Sequence, residues 1–63
     1  MDGTTIKKIR LHLRDSQTQF ANRFGVTRDA VAKWEAGKRE PRLDKLDSLE
    51  QLYIDMLREL SPK

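Results

Sequence analysis

Residues 16–41 read SQTQFANRFGVTRDAVAKWEAGKREP, and the punctuation of this stretch decides the fold. Ser16 with Gln19 three residues on has the spacing of a capping box, so a helix starts here. Phe20, Ala21 and Phe24 fall on its inner side. Gly25 can adopt the left-handed conformation that closes a helix. Only Gly25 and Val26 separate that end from Thr27, which can cap a second helix. Ala30, Val31 and Trp34 share one side of it. Gly37 then stops the second helix, and Pro41, which has no backbone N–H to donate, reinforces the break.

Working outward, the N-terminal flank supplies Ile6, Ile9 and Leu13 at i, i+3 and i+7, one apolar stripe on a helix capped by Thr4 or Thr5 and running to about Arg14. Leu11 lies off the stripe, either as a single exposed leucine or as a partner contact. The C-terminal flank predicts a longer helix over about 43–60. Asp44 and Asp47 favour its start. Leu43, Leu46, Leu49, Leu52, Tyr53, Met56, Leu57 and Leu60 then form a wide apolar stripe, and Ile54 lies beyond it. No segment alternates with period two. The prediction is an all-α domain spanning 1–63, a compact bundle of four or five helices.

Two short helices held rigidly around a tight glycine turn are what a helix-turn-helix requires, and residues 16–36 meet that requirement. The same segment resembles the helix-turn-helix of the lambda-repressor/Cro-like family. That family's pattern runs Thr/Ser-Gln, two variable residues, an apolar residue and Ala, then Gly-Val-Ser/Thr, then apolar-x-x-Trp-Glu-x-Gly-x-x-x-Pro. Arg10 matches the family's first-helix arginine, which pairs with the glutamate found here as Glu35. Asp15 departs from the pattern, because an apolar residue usually precedes the Ser/Thr-Gln. The resemblance implies a bacterial or phage-encoded, cytoplasmic regulator of transcription that binds double-stranded DNA.

The residues themselves point the same way. At 100° per residue Arg28, Asp29, Ala32 and Lys33 share the face of the second motif helix opposite Val31 and Trp34. Such a face suits the major groove. Arg28 can bond guanine O6 and N7 bidentately, Asp29 can accept from a cytosine amine, Ala32 can touch a thymine methyl, and Lys33 can reach guanine. Asp29 can equally serve the helix N-terminus, and Lys33 can equally meet a phosphate. The resemblance assigns phosphate contacts to Gln17 and to the cations Lys38, Arg39 and Arg42. Thr27 is either a further phosphate contact or a plain cap. Arg10 with Glu35 is structural, whereas Lys7, Lys8, Arg14 and Arg23 read as solvated charges.

Charge supports a polyanionic partner. Residues 1–42 carry ten basic against five acidic side chains, and residues 43–63 carry three against five. There is no cysteine and one histidine, so neither a disulfide nor a metal cluster is expected, and no cofactor or small-molecule ligand. No apolar run reaches membrane-spanning length. No nucleophile–base pair, carboxylate pair or glycine-rich phosphate loop points to an enzyme. A chain of 63 residues buries a small core, and association of copies is the remaining way to reinforce it. The last helix either folds wholly onto the body or divides. In the divided reading Leu43, Leu46 and Leu49 close the core, while Leu52, Tyr53, Met56, Leu57 and Leu60 meet their copies in a homodimer. With no effector domain expected, the chain acts by occupying an inverted-repeat operator as a repressor. The alternative is an antitoxin-like regulator whose last helix also binds a partner protein.

Overall fold

A computed structural model describes residues 1–61. Four helices follow one another: α1 (Gly3–His12), α2 (Gln17–Phe24), α3 (Arg28–Glu35) and α4 (Leu43–Leu60). The described residues contain no strand, so the all-α prediction holds with four helices.

The three short helices are closed at both ends by local hydrogen bonds. Ser16 and Gln19 form the expected capping box, and Thr27 Oγ1 accepts from the Ala30 N–H at 3.1 Å. At α1 the cap is Asp2 rather than Thr4 or Thr5, its carboxylate accepting from the Thr5 N–H at 2.8 Å. A carboxylate caps as well as a hydroxyl, and starting there brings Gly3 into the helix. At the other ends, Gly25 (φ 66°) and Gly37 (φ 75°) turn the chain left-handed. The Val26 N–H then bonds the Ala21 carbonyl, and the Lys38 N–H bonds that of Lys33. α1 stops at His12 in the same way, with Asp15 N–H bonding the Arg10 carbonyl. Its left-handed residue is Arg14 (φ 60°), which costs about 1 kcal/mol relative to glycine.

Ile6 and Ile9 of α1, Phe20, Ala21 and Phe24 of α2, Val31 and Trp34 of α3, and Leu49 and Met56 of α4 form one core. The Phe20 and Phe24 rings meet edge-on at 4.8 Å, and those of Phe24 and Trp34 at 6.3 Å. α1 approaches α3 so closely that a Cβ on Gly3 would lie 2.6 Å from the Trp34 carbonyl oxygen and overlap the Glu35 backbone.

α4 divides, but not where the sequence suggests. Leu43, expected in the core, is 79% exposed; Leu46 is half-buried and Leu49 fully buried. Met56, expected on a partner-facing side, is 6% exposed within its own chain. Leu52 and Tyr53 are half-buried and pack on the core. Leu49 and Met56 are two turns apart and so share the face that closes the body. Ile54, expected outside the stripe, is 44% exposed beside Leu57 at 45%, and Leu60 is 65% exposed. Leu60 lies on the Leu49 side, so its exposure marks where α4 outruns the body. His12 Nε2 and Glu59 Oε2, 2.5 Å apart, tie this outer end to α1.

Candidate nucleic-acid interface

Burial of Val31 and Trp34 fixes the rotation of α3 and therefore what it turns outward. Arg28, Asp29 and Lys33 are exposed and Ala32 is half-buried, so the structure gathers the four expected side chains on one free face. Asp29 Oδ2 and Lys33 Nζ, one turn apart, form an ion pair at 3.0 Å. Thr27 supplies the cap of α3, so Asp29 has no capping duty.

Behind this face runs a chain of hydrogen bonds that the sequence showed only in part. Arg10 grips Glu35 with two of its nitrogens, Nε at 2.6 Å and Nη2 at 3.1 Å. Its Nη1 donates to the Asp15 carbonyl at 2.9 Å. The hydrogen bond to Glu35 holds the Arg10 pKa above its ordinary value, against the opposing effect of burial. Glu35, its side chain 7% exposed, also accepts from Gln17 Nε2 at 3.2 Å. Gln17 Oε1 in turn accepts from Arg28 Nη1 at 3.0 Å. The exposed guanidinium of Arg28 is thus anchored, through one glutamine, to the part-buried pair that joins α1 to α3. Held this way, it loses less side-chain entropy on meeting a ligand.

Gln17, expected at a phosphate, therefore has its amide engaged within the chain at both ends. Arg23, expected to be a free solvated charge, pairs instead with Asp15 at 3.0 and 3.3 Å. That hydrogen bond raises the Arg23 pKa. The pair also accounts for Asp15 standing where an apolar residue is usual: its carboxylate is shielded but fully partnered. Lys7, Lys8 and Arg14 are exposed, as expected for solvated charges.

Lys38, Arg39 and Arg42 are exposed along the segment joining α3 to α4, which buried Pro41 pins to the body. Arg42 stands at the N-cap of α4 without a side-chain hydrogen bond there. The cations thus follow directly after the free face of α3. Among the described residues no group of His, Asp or Glu side chains could hold a metal ion, and no helix is long and apolar enough to cross a membrane.

Two helices closed by a left-handed glycine, the second presenting a charged free face flanked by loop cations, define a helix-turn-helix DNA-binding domain. The helix-turn-helix family profile matches residues 6–53, from the first buried residue of α1 into α4, and the chain belongs to that lambda-repressor/Cro-like family. It is a regulator of transcription that binds double-stranded DNA, in a family of regulators that is generally non-enzymatic. No curated protein and no solved structure matches the chain significantly.

Proposed function

We propose that this regulator is a repressor that binds an inverted-repeat operator as a homodimer and blocks transcription by occupying it. The observation that carries the reading is the apolar group Ile54, Leu57 and Leu60, exposed on the last two turns of α4. Tyr53, half-buried, borders this group, whereas Leu52 lies on the opposite flank of the helix beside Arg23 and Phe24 and drops out of the contact. Met56 belongs to the body and drops out as well. The homodimer requires a two-fold axis through this group that sets the two copies of α3 one DNA turn apart, roughly 34 Å, on one side of the duplex. In each half-site Arg28 bonds guanine, Asp29 and Lys33 face base edges, and Ala32 touches a thymine methyl. Lys38, Arg39 and Arg42 hold phosphates, with the Thr27 hydroxyl as a further donor. Gln17 orients Arg28. Three to four cationic contacts per copy, doubled by symmetry, give a log–log salt slope of roughly −5 to −7.

Sedimentation at micromolar concentration tests the assembly. The parent is expected as a dimer, and Leu57→Glu with Leu60→Glu as a monomer that keeps its helical circular dichroism and binds a selected operator more weakly. A parent that sediments at 7.4 kDa, or a double variant that stays dimeric, removes this interface. Transcription in vitro from a promoter overlapping the operator tests repression, which predicts fewer transcripts as protein is added. A rise would make the protein an activator.

A further inference from the structure

The Asp29–Lys33 ion pair is more than two neighbouring charges. Its atoms are 3.0 Å apart on the free face of α3, and neither side chain has another partner among the described residues. An exposed pair at i, i+4 contributes only a few tenths of a kcal/mol to a helix. Its geometry carries more information. In a G·C base pair the guanine O6 and the cytosine N4 are hydrogen-bonded to each other at about 2.9 Å, the ordinary N–H···O length. Both present a further acceptor or donor site to the major groove. An ammonium and a carboxylate already 3.0 Å apart therefore match an acceptor and a donor lying side by side on one base pair.

We infer that Asp29 and Lys33 read a single G·C base pair as a unit, with Lys33 on guanine O6 and N7 and Asp29 accepting from the cytosine amine. The inference rests on the proposed placement of α3 in the major groove. It also fixes the orientation of the base pair. Reversed, as C·G, the pair sets the carboxylate against the two guanine acceptors and the ammonium against the cytosine amine, so both contacts become repulsive. A T·A pair, with thymine on the Lys33 side, offers O4 to the ammonium and N6–H to the carboxylate. It then brings adenine N7, an acceptor, against Asp29. G·C in one orientation leaves neither group opposed. Arg28 is tethered to Gln17 and belongs to a different position of the half-site. The ion pair also spreads less bare charge over the helix than a lone lysine, so a wrong base pair does not recover its cost through non-specific attraction.

The test is competition binding of the parent, Asp29→Asn and Lys33→Ala against every single-base variant of the operator selected by the parent from random duplexes. Both side chains are exposed, and helical circular dichroism checks that both variants fold. The parent is expected to prefer G·C over C·G at one position of each half-site by about 10- to 100-fold. Lys33→Ala should shrink the preference at that position to the part Asp29 supplies alone by accepting from the cytosine amine. Asp29→Asn should move it to T·A, because asparagine bonds adenine N6 and N7 bidentately while Lys33 keeps thymine O4. Changes at two separate positions, or none, overturn the inference while leaving the groove assignment in place. A parent that selects no consensus overturns the groove assignment and this inference with it.

Discussion

Gly3→Ala sets packing against helix propensity, and the two predict opposite signs. Alanine is the better helix former by about 1 kcal/mol in a helix interior, and somewhat less in a first turn. Propensity alone therefore stabilises the variant. The new Cβ would stand 2.6 Å from the Trp34 carbonyl oxygen, whereas carbon and carbonyl oxygen ordinarily approach to about 3.3 Å. The obstacle is backbone, which cannot rotate aside. The Glu35 carbonyl oxygen is nearer still, so α1 must retreat by more than roughly 0.7 Å, loosening Ile6 and Ile9 in the core and the Arg10–Glu35 pair with them. Overpacking of this kind costs about 1–3 kcal/mol. The expected net loss is about 1–2 kcal/mol, out of a total of about 3–9 kcal/mol for a domain of this length. Urea unfolding followed by circular dichroism and Trp34 fluorescence should show a midpoint lower by about 1–2 M, taking a slope near 1 kcal/mol per molar. Thr4→Ala, on the exposed side of the same turn, is the control and should change little. A Gly3→Ala midpoint equal to or above that of the parent refutes the close approach of α1 to α3.

Glu35→Ala leaves the Arg10 guanidinium buried without its carboxylate and should cost about 3–5 kcal/mol in thermal or urea unfolding. Arg10→Met combined with Glu35→Leu should recover most of that loss, which separates the cost of an orphaned charge from the worth of the pair. The Thr5 N–H holds the Asp2 pKa below its ordinary carboxylate value, so its capping contribution is full above the unfolded value of about 4 and is lost as pH falls through the lower, folded value. Asp2→Asn, still a good cap, should remove that acid-side dependence from helicity measured between pH 2 and 5. Arg14→Gly relieves a left-handed arginine and should stabilise by about 0.5–1 kcal/mol, read as a higher melting temperature.

The motif helices were legible in the sequence because their ends are set by local chemistry. Ser16 with Gln19, Thr27, Gly25 and Gly37 each act within five residues of themselves, and all four took the expected role. The free face of α3 followed from the burial of Val31 and Trp34. Longer-range features were harder to read. The apolar stripe of α4 gave its amphipathicity but not its rotation against α1, so Leu43 and Met56 were misplaced while Ile54 lies outside the core as expected. Leu60 shows why a period cannot show where a small body ends. The Asp15–Arg23 pair brings together residues eight positions apart from the two ends of α2, which spacing does not announce. The Gln17 link from Arg28 to Glu35 needs all four helix ends in place before its atoms come within reach. Gly3 sits in an ordinary helical turn and reads as neutral until the backbone of α3 is beside it.

The outer face of α3 is proposed to read DNA sequence, with Arg28 as its most specific contact. The direct measurement compares the base preferences of duplexes selected from a random pool by the parent, by Arg28→Ala and by Lys38→Ala, at one fixed salt concentration. Arg28→Ala should lose about 1–3 kcal/mol on the parent's site and relax the preference at one guanine in each half-site. Lys38→Ala should weaken all sequences about equally and leave the preferences unchanged. An Arg28→Ala protein that selects the parent's consensus unaltered would contradict the account.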